Sequence, residues 1–395
     1  MIQMKILIPD KVDAQATDIL EKAGFVVDNK PGITEKEVIK ICGDADAIIV
    51  RSGIQVTREI LQAARNLKVV VRAGVGTDNI DTEAASELGI IVENTPLGNI
   101  NAAAEHTLTL LMLLSKPVIH SNAELKKGVW DRKKYKGSEL KGKTLGIIGL
   151  GNVGKKVAKV AKALEMDILG FDPFIDLAAM REMGITKAEL DDLYKGSDYI
   201  TVHVPLIDET RNLISDREFA KMKDGVKILN VARGGIINEK ALEKALNSGK
   251  VAAAALDVYE SEPPACSALL ADQKVICTPH LGASTEEAQL NVALDAAHQI
   301  VELLSNGNIL NSAQLPNCVL ERNGGTRITV LHKNVPGMIE HITQELASKN
   351  LNIAEMINKG RQDIAYSIFD VEGSVAEAVL PGIQAIPGVI KVRKI

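Results

Sequence analysis

Thr144-Leu145-Gly146-Ile147-Ile148-Gly149-Leu150-Gly151-Asn152-Val153-Gly154 carries a short apolar strand straight into a Gly-x-Gly-x-x-Gly turn that opens a helix. Glycines at these positions let the backbone turn tightly and approach a pyrophosphate, which free N–H groups at the helix N-terminus then stabilise. In a chain with 31 glycines the pattern alone is weak, and its context gives it force. Asp172 closes the next strand 18 residues beyond Gly154, where a carboxylate binds ribose hydroxyls. The segment also spells Gly-x-x-x-x-Gly-Lys, but a triphosphate loop needs Ser or Thr next to hold magnesium, and Lys156 stands there. A dinucleotide is therefore expected. Asp172 would repel a 2′-phosphate and Pro173-Phe174 brings no cation, so the expected cofactor is NAD rather than NADP.

Outward from this loop, short β-branched runs alternate with helical patterns. Strands are expected over 5–8, 47–50 and 69–71, and again over 144–148, 167–171, 199–202, 226–230 and 252–256. Amphipathic stretches over 13–23 and 57–64 lie among the first set. This grammar implies parallel sheets with helices on both faces, hence an α/β fold with two doubly wound, Rossmann-like domains. A helix over 101–115 separates the two sets, and one following Ser284 to about Leu304 leads back. The expected division is a discontinuous substrate-binding domain, 1–98 with 286–318, around an NAD-binding domain, 99–285, with a ligand cleft between them. Ser305-Asn306-Gly307-Asn308 reads as a turn and Asn323-Gly324-Gly325-Thr326 as a flexible linker. Residues 326–395 then follow a strand–helix–strand–strand–helix–strand order, over 327–331, 335–349, 353–358, 365–371, 375–383 and 389–392. That order is a ferredoxin-like third domain.

Composition narrows the function classes. The 395 residues are 46% hydrophobic and 25% charged, which excludes collagen-like and largely disordered chains. A net charge of −5 gives no global basic field for nucleic acid or an anionic membrane. No apolar stretch approaches the ~20 residues of a membrane span, and the opening Met1 to Asp10 is too short in apolar residues for a signal-peptide core. Cys42, Cys266, Cys277 and Cys318 form neither a CxxC pair nor a dense framework, so reduced thiols in a cytoplasmic protein are expected. The seven histidines show no zinc-ligand spacing, and no metal is expected.

Three loops follow predicted strands at the carboxyl edge of the second sheet, where ligands of such sheets bind. They are Asn230-Val231-Ala232-Arg233-Gly234-Gly235, Leu256-Asp257-Val258-Tyr259-Glu260-Ser261-Glu262-Pro263-Pro264 and Thr278-Pro279-His280-Leu281-Gly282-Ala283-Ser284. An arginine, a carboxylate and a histidine so placed suit oxidation of a 2-hydroxy acid. The guanidinium fork grips carboxylate and carbonyl oxygens. The imidazole takes the hydroxyl proton, with a carboxylate fixing its tautomer. Singly, each residue is equally well a surface charge or a capping side chain; the case rests on the three together.

On these loops, with Gly149 to Gly154 and Asp172, residues 1–315 resemble the D-isomer-specific 2-hydroxyacid dehydrogenases. The resemblance implies catalytic roles for Arg233 (substrate), Glu262 (support of the histidine) and His280 (acid/base). It implies cofactor contacts at Gly149, Gly151, Asn152, Val153, Gly154, Asp172, Val204, Val231, Ala232, Asp257, His280 and Gly282. Val50-Arg51-Ser52 and Arg72-Ala73-Gly74-Val75-Gly76 look like the substrate loops of members that oxidise D-3-phosphoglycerate to 3-phosphohydroxypyruvate, the entry to serine synthesis. Arg51 and Ser52 are thus expected at the substrate, with Gly74, Val75 and Gly76 as a small anion nest. Trp130-Asp131-Arg132 resembles a segment that brings Arg132 to a neighbouring subunit's site, so a homo-oligomer, dimer or tetramer, is expected. Residues 326–395 resemble an ACT domain, a small amino-acid-binding module. His332, Asn334 and Asn352 match its serine-contacting positions, which makes L-serine the expected effector. Two other readings stay open: a sister enzyme acting on glyoxylate, hydroxypyruvate or lactate, and a cofactor-sensing co-repressor.

Overall fold

Short runs of two to six residues, most of them apolar and rich in Val and Ile, build two parallel sheets. The computed structural model describes residues 3–265, 268–373, 375 and 379–395; Cys266 and part of the expected helix over 375–383 lie outside these. The first sheet contains β1 (Lys5–Ile8), β2 (Val26–Asn29), β3 (Ala47–Val50), β4 (Val69–Arg72) and β5 (Ile91–Asn94), in the order β2-β1-β3-β4-β5, all parallel. The second contains β6 (Thr144–Ile148), β7 (Asp167–Phe171), β8 (Thr186–Lys187), β9 (Tyr199–Val202), β10 (Val226–Asn230), β11 (Val251–Leu256) and β12 (Val275–Cys277). Its order is β12-β11-β10-β9-β6-β7-β8, which reverses between β6 and β9 and puts the glycine loop at the switch point. Both are doubly wound, as the alternating pattern implied. Helices between them start on capping side chains: Asp13 and Asn238 accept from the first turn, and Thr34/Glu37 and Ser215/Glu218 form capping boxes.

The third sheet is antiparallel: β13 (Thr326–Lys333), β14 (Ile353–Arg361), β15 (Ile364–Val371) and β16 (Val389–Lys394), ordered β14-β15-β13-β16. Helices Met338–Ser348 and Val379–Gln384 complete the ferredoxin-like order. The helix expected from 335 begins at Met338, because Pro336 precedes Gly337, which has φ 81°.

Chain contacts define two compact units, Met1–Asn99 with Gln289–Ile395, and Ile100–Ala288. In the first unit β13 and β15, the central strands of the third sheet, are buried on both faces. Ile328, Val330, Phe369 and Val371 pack under its own helices against Ile342, Leu346 and Ile383. On the other face Leu331, Tyr366 and Ile368 join the core formed by Ile6, Ile8, Ile49, Val69, Ala293, Ala296 and Ile300.

The expected flexible linker is therefore anchored. Gly324 has φ 86° and the Gly325 N–H donates to Asn323 Oδ1 at 3.0 Å. Two residues on, Arg327 is fully buried, paired with both Asp370 oxygens at 2.6 Å. Its guanidinium also donates to the carbonyls of Asn306, Leu320 and Glu321. Among the described residues no helix is long and apolar enough to cross a membrane.

Candidate active site

All the expected cofactor contacts of the second unit stand at the carboxyl ends of parallel strands, which places them on one edge. The three loop glycines do different work. Gly149 has φ 94°, and a Cβ there would sit 2.5 Å from the His203 carbonyl. One at Gly154 would sit 2.1 Å from the Gly149 carbonyl, so this glycine permits close helix–strand packing. Gly151 caps the helix Asn152–Ala163 and faces open space, which leaves its backbone accessible to a diphosphate. Asp172, after β7, accepts from the Leu150 N–H at 2.8 Å and the Phe174 N–H at 2.9 Å, which fixes its carboxylate beside the glycine turn. Val204 lies against Gly149. These features fit the pyrophosphate and ribose of a dinucleotide.

Asn230, buried at the end of β10, holds the following loop by accepting from the Ala232 N–H at 3.0 Å and donating to the Arg233 carbonyl at 2.8 Å. A Cβ on Gly234 would lie 1.7 Å from the Tyr259 carbonyl, so only glycine lets this loop touch the one after β11. The Tyr259 N–H donates to Glu262 Oε1 at 3.2 Å, and the Tyr259 hydroxyl donates to the Thr278 carbonyl at 2.9 Å, tying the second loop to the third.

His280 and Glu262 meet directly, Nδ1 to Oε2 at 2.7 Å, with side chains 46% and 38% exposed. With Nδ1–H donated to the carboxylate, Nε2 is the ring atom left for a substrate. His280 has φ 54°, an uncommon conformation for a non-glycine residue. Its N–H donates to the Asp257 carbonyl at 2.9 Å.

Asp257 is fully buried. Oδ1 accepts from the Leu281 N–H at 2.7 Å and the Thr278 hydroxyl at 2.5 Å, and Oδ2 from the Gly282 N–H at 2.8 Å. His106 Nε2, from the helix Ile100–Ser115, lies 3.2 Å from Oδ1 and 3.1 Å from Thr278 Oγ1. Burial pushes the Asp257 carboxyl up, but the bonds from His106, Thr278 and the two amides outweigh it and hold it below the usual carboxylate value. Sequence reasoning passed over His106, whose only signal was a polar ring in an apolar helix.

In the first unit, Arg51 and Ser52 follow β3 and Gly74, Val75 and Gly76 follow β4, on adjacent strands. Asn79 joins the loops by donating to the carbonyls of Arg51 and Ile54, both at 2.7 Å. The Arg51 N–H donates to Asp10 Oδ2 at 2.7 Å. The Gly74 N–H turns back to the Arg72 carbonyl at 2.8 Å, so the expected nest is narrowed to the amides that follow.

Arg132 lies on an exposed segment beside Trp130, which is 76% exposed. In the third sheet His332 is buried, its ring bonded to the Ser367 hydroxyl and the Lys333 carbonyl; burial lowers its pKa. Both ring nitrogens of His332, expected at the effector, are thus engaged within the sheet. Asn334 and Asn352 are exposed at opposite ends of β14, bonded to the Gln362 carbonyl and to Glu372. One chain alone does not bring these two together.

Comparison with known proteins is consistent with this geometry. Residues 108–282 match the profile described as D-isomer specific 2-hydroxyacid dehydrogenase, NAD binding domain. A D-3-phosphoglycerate dehydrogenase of Methanocaldococcus jannaschii is 42% identical across 99% of this chain and 75% of that protein. One of Archaeoglobus fulgidus is 46% identical across 79% of this chain, which spans only 60% of that relative's length. Among solved structures, a cofactor (NAD+)-bound 3-phosphoglycerate dehydrogenase of Entamoeba histolytica superposes with a TM-score of 0.66 at 32% identity, covering 79% of this chain and 98% of that one. A glyoxylate reductase gives a TM-score of 0.73 at 31% identity, covering 79% and 99%.

Proposed function

From its membership of the D-isomer specific 2-hydroxyacid dehydrogenase family, to which this chain belongs, we propose that it oxidises D-3-phosphoglycerate to 3-phosphohydroxypyruvate with NAD, a step towards L-serine. The observation that carries the reading is the 2.7 Å pairing of His280 Nδ1 with Glu262, on the strand edge that also bears the glycine loop. NAD supplies the hydride acceptor. Gly149, Gly151, Asn152, Val153 and Gly154 receive its diphosphate and Asp172 its ribose. Val204, Val231, Ala232, Asp257 and Gly282 line the same edge.

His280 Nε2 removes the proton from the substrate's 2-hydroxyl as the hydride leaves C2, and Glu262 keeps the ring's Nδ1 protonated and oriented. Arg233 holds the carboxylate and the developing carbonyl in its planar fork. Arg51, Ser52 and the amides after Gly74 hold the remaining anionic groups. Purified protein given NAD and D-3-phosphoglycerate should produce NADH. Faster turnover of glyoxylate, hydroxypyruvate or lactate would assign it to a sister activity instead.

We further propose that β14, an edge strand of nine residues, pairs antiparallel with the β14 of a second copy in a homo-oligomer. That pairing brings Asn334 of one copy towards Asn352 of the other, a site with amide groups for both ends of L-serine. Calorimetric titration with L-serine tests it; millimolar serine that neither binds nor slows turnover overturns the effector role.

A further inference from the structure

Asp257 grips three successive backbone amides: its carbonyl takes the N–H of His280, and its carboxylate takes those of Leu281 and Gly282. Those bonds hold His280 in its left-handed conformation, from which the ring reaches Glu262. The clamp is itself anchored from outside the loop. The helix Ile100–Ser115 is lined on its buried face by Ala104, Leu108, Leu110, Leu111 and Leu114, yet it sets the His106 ring against Asp257 and Thr278, its only hydrogen-bond partners among the described residues. An ionised carboxylate only accepts, so the proton sits on His106 Nε2 and is directed at Oδ1.

We propose that His106 is a positioning residue for His280: by donating to Asp257 it keeps the backbone of residues 280–282 where the His280 ring stays on Glu262. The inference rests on His280 being the acid/base group. Simple packing of a helix on a sheet would be served as well by leucine at position 106. A donor aimed at the clamp has another consequence, namely that function should follow the reach of the donor rather than the volume of the side chain.

The test uses the full-length protein and two independent readouts. Hydrogen–deuterium exchange is followed in the segment around 278–284, and kcat and KM are measured with D-3-phosphoglycerate. His106→Leu should accelerate exchange at 280–282 and lower kcat roughly 10- to 100-fold, since loss of near-attack geometry costs on that order. KM for the acid should change little. His106→Gln places an amide N–H at nearly the same reach and should restore both readouts. His106→Asn, polar but too short, should resemble the leucine variant and decides the matter if that one fails to fold. Wild-type exchange and kcat in the leucine or asparagine variant, or a glutamine variant as impaired as either, overturns the proposal. Absence of dehydrogenase activity in the wild type would instead strike the functional reading, and the exchange data would still judge His106.

Discussion

His280 has one nitrogen on Glu262 and the other without a partner among the described residues, so its replacement separates chemistry from binding. His280→Ala should lower turnover by ~10²–10⁴-fold while NADH fluorescence still reports normal binding. Asp172→Ala removes the carboxylate beside the glycine turn. It should weaken NAD and raise the ratio of NADP to NAD activity, read from kcat/KM for each cofactor. Glu93 is a different kind of residue. It is fully buried in β5, accepts from the Leu310 N–H at 2.7 Å, and has an Oε2 with no partner. Burial raises its carboxyl well above the ordinary 4.5. The folded chain thus keeps a proton that the unfolded chain releases above that value, and stability falls as pH rises from there towards the folded-state pKa. Glu93→Gln keeps the amide contact without the titration. Denaturant midpoints measured between about pH 5 and about pH 8 should decline less in the variant than in the wild type.

At the scale of elements, what was legible in the sequence was what local chemistry determines. The strand–glycine–helix of 144–154, the capped helices and the apolar runs at β1, β3 and β9 each carry their own signal. β2 and β5 escaped because Asp28, Asn29, Glu93 and Asn94 interrupt the apolar pattern, and β8 is only two residues long. Glu93 makes sense only beside Leu310, 217 residues away. The site divided in the same way. Glu262 and His280 were named from their loops, whereas His106 is 151 residues from Asp257 and only the fold joins them. His332 is buried because β13 is covered on both faces, by its own helices and by the core of β1, β3 and β4, which only the fold reveals.

Arg327 is the strongest element-scale prediction. Arg327→Met leaves Asp370 buried without its partner and should cost about 3–5 kcal/mol, seen as a lowered Tm and as new proteolysis around 321–326. Adding Asp370→Leu should recover much of that loss, since an apolar pair replaces an ion pair with little penalty.

For the whole molecule, the third sheet bears on regulation and on architecture. If L-serine inhibits, it must bind one global state better than another, and a coupling of about 1–3 kcal/mol would change substrate affinity by roughly 5–150-fold. Asn352→Ala should abolish that inhibition and leave unregulated turnover near the wild-type rate, as initial rates with and without serine will show. The burial of Leu331, Tyr366 and Ile368 in the same core as β1, β3 and β4 has a separate implication for protein engineering. A detachable regulatory cassette would be cut at Gly325 and fused to another catalytic scaffold. Here that cut would expose an apolar wound on the donor and strip Arg327 of the carbonyls at 306, 320 and 321. A transplant that begins near Glu302 keeps the carbonyls that Arg327 grips, yet it still leaves Leu331, Tyr366 and Ile368 without the core on which they pack.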